Sequence, residues 1–132
     1  MILIQKQWLR KPCPKDIFES EVVMDFISKI VLVENGDGFF GPGVRDLLLN
    51  IESAKSVKAA SDKMQISYSK AWKIIRNVEK AMGETAVIRV HGGTDGGSAT
   101  LSPACRNLLE KYMEFERKSR EESRKVFEEV FR

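Results

Sequence analysis

Four glycines fall within six residues, Gly92, Gly93, Gly96 and Gly97. They stand between a β-branched run, TAVIRV, and the sequence Ala99-Thr100-Leu101-Ser102-Pro103. This stretch restricts the fold more than any other. Glycine clusters either wrap a phosphate or turn a hairpin, because backbone without Cβ can approach closely or take positive φ. GGTDGGS lacks the spacing and the lysine of a G-x-x-x-x-G-K-[ST] loop, and it does not match G-x-G-x-x-G. A three-residue strand follows it, not a helix whose N-terminus could hold a phosphate. The stretch therefore reads as a hairpin, with strands on either side. Ser102 as N-cap and Pro103 at N1 then start a helix. From Pro103 to Arg132 nothing breaks that helix, so it could reach roughly 45 Å.

Upstream, three helical segments precede the hairpin. GVRDLLLNIESAK carries Val44, Leu47, Leu48 and Ile51 on one face, the i, i+3, i+4, i+7 pattern. Lys55-Ser56 ends it. Ser56 caps a second helix with Val57, Ala60 and Met64 inward, and Ala59 and Ala60 are small enough for another helix to come close. Ser67 caps a third, SYSKAWKIIRNVEKAMG, whose inner stripe is Ala71, Ile75, Val78 and Met82, with Trp72 beside it. Gly83 is placed to stop it in the αL conformation. Before these helices, FISKIVLVENGDGFFGPG reads as another hairpin. Ile30, Leu32 and Glu34 alternate with Val31 and Val33, Asn35 to Gly38 turn, Phe39 and Phe40 return, and Gly41-Pro42-Gly43 breaks. The expected fold is mainly α with small β, an α+β winged helix-turn-helix with an N-terminal β-hairpin and a long C-terminal helix. Its parts are an N-terminal extension at 1–23, a winged helix-turn-helix domain at 24–101 and the long helix at 102–132. Trp8 and Phe18 are candidates to dock on the domain, and Met24 is a candidate alternative start.

The chain has 132 residues and a formal net charge of +3, which fits a polyanionic partner without requiring one. No apolar run approaches the roughly 20 residues that span a bilayer. With no visible signal peptide and only Cys13 and Cys105, the expected setting is the cytoplasm, with free thiols. Cys105 reads as a small buried hydrophobe. His91 is the only histidine. No ligand cluster, nucleophile–base pair or acidic dyad is visible, so neither a metal, a cofactor nor an enzymatic role is expected.

Two helices joined by a tight turn, the second cationic outside and apolar inside, make the helix-turn-helix pattern. Ser67, Tyr68, Ser69, Lys70, Lys73, Arg76 and Asn77 are the candidate DNA contacts of the third helix. Lys and Arg neutralise phosphates and reach guanine N7 and O6, and Asn, Ser and Tyr bond base edges or phosphates. A hairpin directly behind such a helix is a wing. Its candidate contacts are Arg89, His91, Gly92, Gly93, Thr94, Gly96, Gly97 and Ser98. The alternative is a winged-helix module that binds other proteins and not DNA.

Ser56, Ala59, Ala60, Ile75, Glu79, Gly83, Arg89 and the Leu101-Ser102 helix start resemble the winged helix of LysR-type regulators. ISYSKAW resembles the S-Y-x-x-A-W recognition-helix start of the molybdate-responsive ModE-type regulators. HGGTDGGSATLS is similar to their G-G-x-x-G-G-[GS]-x-x-L-[ST] wing, and ENGDGFFGPG to their opening hairpin. The resemblance covers about 25–115. It implies a sequence-specific transcriptional regulator of double-stranded DNA, acting as a homodimer through the last helix. Leu108, Tyr112, Phe115, Val126 and Val130 lie near one face of that helix and are the candidate dimer contacts, with Ser119 and Glu122 interrupting them. Asp95 stands where the family's wing often has lysine, and Cys105 and Arg106 where a glycine is common. Full-length members carry molybdate-binding domains after the long helix, and this sequence shows no counterpart.

Overall fold

A computed structural model describes residues 23–91 and 97–132. The expectations for Trp8, Cys13 and Phe18 lie outside the described residues. The element order is β1 (Leu32–Glu34), β2 (Asp37–Phe40), α1 (Pro42–Ala54), α2 (Val57–Lys63), α3 (Tyr68–Met82), β3 (Val87–Val90), β4 (Ser98–Leu101) and α4 (Pro103–Phe131). Two antiparallel pairs, β1 with β2 and β3 with β4, accompany the helices.

The opening hairpin is shorter than the alternation suggests, and its turn is tighter. Only Asn35 and Gly36 turn, both at positive φ, the two-residue loop that matches strand twist. Asp37 and Gly38 already belong to β2. The register slips between Leu32 and Val33, which pair with Phe40 and Gly38. Phe39 is thus the extra residue of a bulge. β1 starts at Leu32 and not at Ile30, because its partner strand ends at Phe40 and Gly41-Pro42 turn into the next helix; the Ile30 carbonyl accepts instead from the Tyr112 hydroxyl at 2.7 Å.

Of the three residues expected to break the chain after β2, only Gly41 stays outside the helix, as N-cap. Pro42 opens α1, where its missing N–H removes nothing. Lys55 ends α1 at φ 57°. Ser56 and Ser67 cap α2 and α3, accepting from the amides of Ala59 and Lys70. Gly83 stops α3 at φ 78°. Between α2 and α3, Gln65 takes positive φ, so the helix-turn-helix corner is made without glycine.

The core is built from the predicted stripes. Leu47, Leu48 and Ile51 of α1, Val57 and Ala60 of α2, and Ala71, Ile75 and Val78 of α3 are buried together, with Phe40, Ala86, Val87, Ala99, Leu101, Cys105, Leu109 and Tyr112. Val44, Met64, Trp72 and Met82 pack at its edge. Ala59, unlike Ala60, is exposed, since neighbours on a helix point about 100° apart. Cys105 is a buried free thiol. Burial, with help from the Glu52 and Glu79 carboxylates, pushes it up to about 11.

α4 starts inside this core and leaves it. Its 29 residues extend about 44 Å. Cys105, Leu109 and Tyr112 hold its first half, and Arg106 reaches back to Glu52 of α1 at 2.7 Å. Beyond the core, residues ahead of β1 run beside the helix. Phe26 packs on Phe127 at 5.1 Å and Asp25 pairs with Arg124 at 3.0 Å. Among the described residues no helix is long and apolar enough to cross a membrane.

Ser102 joins three parts of the fold. Its hydroxyl accepts from the Cys105 amide and donates to the Thr85 carbonyl at 2.7 Å, and its own amide donates to Ala86. Ser102→Ala removes the cap and leaves the Thr85 carbonyl without this partner. It should lower stability by about 1–2 kcal/mol, read as a lower midpoint in chemical unfolding.

Candidate nucleic-acid interface

The outward face of α3 follows from its inward one. With Ala71, Ile75 and Val78 buried, residues half a turn away must face solvent. Ser67, Ser69, Lys70, Lys73, Ile74, Arg76 and Asn77 line one continuous concave surface. The structure thus brings six of the seven expected helix residues together. Tyr68 is the seventh and sits apart. Its ring lies on the wing side, lining a cleft with Arg89, His91 and Ser98.

The one carboxylate of α3 is kept off that surface. Glu79 turns inward and accepts from the Ala86 amide at 2.8 Å. The charge on the exposed face is therefore cationic only. Lys80 extends it and was not among the expected contacts. It lines a cleft of about 530 Å³ with Asn77 and the hairpin residues Glu34 and Asp37. Its signal in the sequence is its spacing, four residues after Arg76 and seven after Lys73.

The wing strands pair in register: Val87 with Leu101, Ile88 with Thr100, Arg89 with Ala99 and Val90 with Ser98. Val87 is buried and Arg89 shares its side of the strand, two residues further out. On the far edge the Ala99 amide donates to the Lys55 carbonyl at 2.9 Å, which ties β4 to the end of α1. Arg89, His91 and Ser98 are exposed, and Gly97 sits at φ 95°. Gly92, Gly93, Thr94 and Gly96, with Asp95, lie outside the described residues.

The candidate dimer contacts divide. Tyr112 turns into its own domain, 1% exposed, with its ring 4.7 Å from Phe40. It follows Cys105 and Leu109 at i+7 and i+3, so it belongs to the inner stripe and not to the outer one. Leu108 packs at the core edge. Phe115, Val126 and Val130 are exposed at 53%, 56% and 66%. Among the described residues no group of three or more His, Cys, Asp or Glu side chains is placed to hold a metal.

No protein-family model matches the chain, and no curated protein does. Solved structures do match in shape. A crystal structure of the CbnR DNA-binding domain in complex with DNA is 18% identical, with a TM-score of 0.50, over 64% of this chain and 94% of that one. A crystal structure of ArgP from Mycobacterium tuberculosis is also 18% identical, with a TM-score of 0.49, over 67% of this chain and 31% of that one. The chain spans about a third of that ArgP structure. The chain shares the α+β winged-helix fold of that CbnR domain, four helices with two small antiparallel sheets.

The bond from Ala86 to Glu79 fixes where the β3–β4 hairpin leaves α3. Glu79→Ala leaves that amide without its acceptor and should cost about 1–3 kcal/mol. Glu79→Gln, which keeps an acceptor oxygen, should recover most of it in the same unfolding measurement.

Proposed function

We propose that this chain is a sequence-specific, double-stranded DNA-binding transcriptional regulator of ModE/LysR-like type. The observation that carries the reading is the α3 surface. Three cations, two serines and an asparagine share one concave face from which the helix's only carboxylate is turned away. A helix of this kind enters the major groove with its N-terminal residues at base edges. Ser69, Lys70 and Lys73 are the proposed contacts to bases or adjacent phosphates, with Arg76 and Asn77 further along. Ser67 caps the helix with its oxygen and keeps its proton to give to a phosphate. Arg89, His91, Ser98 and the glycines of the wing, 92–97, would hold the flanking backbone. The DNA in the CbnR complex supports the same partner here, and the S-Y-x-x-A-W start supports the ModE-type assignment. Such a regulator works in the cytoplasm.

The proposed active form is a homodimer. Phe115, Val126 and Val130 leave a broken apolar stripe along the part of α4 that projects from the core. The strap at Phe26 covers another side. A second copy would bury the stripe and set two recognition helices about one DNA turn apart, roughly 34–36 Å.

Two measurements test this. Lys70→Ala with Lys73→Ala should weaken duplex binding and reduce the slope of log K against log salt by about 1 for each phosphate no longer neutralised. Unchanged affinity and slope would remove α3 from the interface. Val126→Asp with Val130→Asp should turn a dimer into a monomer in sedimentation at micromolar concentration. A wild-type chain that sediments as a monomer, with and without DNA, would refute the dimer.

A further inference from the structure

The α3 surface takes in six of the expected helix contacts but not Tyr68, and it leaves out Trp72. Both lie on the flank of α3 that faces the wing. There they meet Arg89 of β3. The Arg89 guanidinium carbon sits 4.7 Å from the centre of the Trp72 ring. One of its nitrogens donates to the Tyr68 hydroxyl over a long 3.4 Å. The Tyr68 ring in turn stands edge-on to Trp72, at 6.4 Å and 80°. Trp72 itself is half-buried against the core, so it cannot swing with the side chain it carries.

This is an unusual place for an arginine to be held. β3 is at the base of a wing, and a long cationic side chain there would ordinarily sample many rotamers. Among the described residues no carboxylate lies within ion-pair distance of Arg89. Among the described residues, what orders it is neutral: one aromatic face and one phenol. A ring face attracts the cation without neutralising it, and a guanidinium has five N–H donors, of which the phenol takes one. The rest stay available. Next to them is a cleft of about 160 Å³, whose other wall includes Lys58 and Ser56. The cleft lies between the start of α2 and the wing, with Tyr68 of α3 at its side, where a DNA backbone would run past.

We propose that Trp72 is a positioning residue. It holds Arg89 as a preset clamp for one backbone phosphate at the junction of recognition helix and wing. The proposal rests on the DNA-binding reading above. The planar fork of arginine matters, since it both stacks and binds phosphate in two-point fashion. Lysine would supply the charge without the stack. Ala99 is the partner of Arg89 across the strands, and a side chain of that size leaves the guanidinium room to lie back on the ring.

The test is a double-mutant cycle in the full chain, read by binding to a mixed-sequence DNA duplex across a salt series. Arg89→Ala should weaken binding roughly tenfold and lower the salt slope by about 0.9. Trp72→Leu keeps apolar volume and removes the π-face. It should weaken binding roughly fivefold, lower the slope in the same direction and add nothing in the Arg89→Ala background. Trp72→Phe keeps a ring and should stay within about twofold of wild type. Arg89→Lys should lose its dependence on the residue at 72. The proposal is overturned if Trp72→Leu and Trp72→Phe bind alike, or if Trp72→Leu and Arg89→Ala are additive. If Trp72→Leu fails to fold, Trp72→Met, which also fills the site without a ring, takes its place in the same comparisons with Trp72→Phe and Arg89→Ala. Lys70→Ala with Lys73→Ala separates the two failures. Binding that still depends on these lysines while the cycle is additive overturns the clamp alone. Binding with no such dependence overturns the DNA-binding reading and the clamp together.

Discussion

Ser102 is where the wing, the loop after α3 and the long helix are tied to one another. One hydroxyl and one amide make three hydrogen bonds there, to Cys105, Thr85 and Ala86. The geometry that follows is over-determined. The cap fixes the direction in which α4 leaves. The Thr85 and Ala86 carbonyls fix where β3 begins, and the Ala86 amide is fixed in turn by Glu79 of α3. Helix α3, the wing and the long helix are thereby held in one rigid relation, although they are distant in sequence. The proposed DNA surface, which would match both a groove and its flanking backbone, needs such a relation, because a small misplacement would weaken binding at both ends.

The electrostatics follow from how charge is distributed and not from its sum. A net charge of +3 is ordinary for a protein of this size. It becomes significant because acids and bases are sorted. The long helix neutralises itself through i,i+3 and i,i+4 pairs such as Arg117 with Glu121 and Lys125 with Glu122. Such exposed pairs add little stability, but they leave the projecting helix without a strong field. On α3 the opposite holds. Its cations are unopposed on the outer face, and the two acids nearby, Glu34 and Asp37, belong to the hairpin at the far end of the helix. A polyanion would then be drawn to the N-terminal two-thirds of α3, while Glu34 and Asp37 offset Lys80 at its far end.

Much of this is legible in the sequence because it is local. Ser56, Ser67, Gly83 and Ser102 each act within a few residues of themselves, and their roles as caps follow from hydrogen bonds that close in one helical turn. The apolar stripes of α1 to α3 are equally local. The rest depends on contacts across the chain. Residues 108, 112 and 115 and residues 105, 109 and 112 are both plausible stripes on α4, about 60° apart. Only the position of Phe40 and the Ile30 carbonyl decides that Tyr112 belongs to the inner one. The start of β1 is hidden for the same reason. The bulge at Phe39 leaves no mark in the alternation of a four-residue strand. Arg89 is visible as a wing cation, but its partner Trp72 stands 17 positions earlier and reads as core packing.

The central claim is that the α3 face and the wing read a specific DNA sequence, in a two-fold pair. Selection of genomic fragments by the purified full chain, followed by sequencing of the bound pool, measures this directly. The account predicts enrichment of a motif with two-fold related half-sites, centred about 10–10.5 base pairs apart or a multiple of that spacing. A bound pool indistinguishable from the input at physiological salt would contradict it.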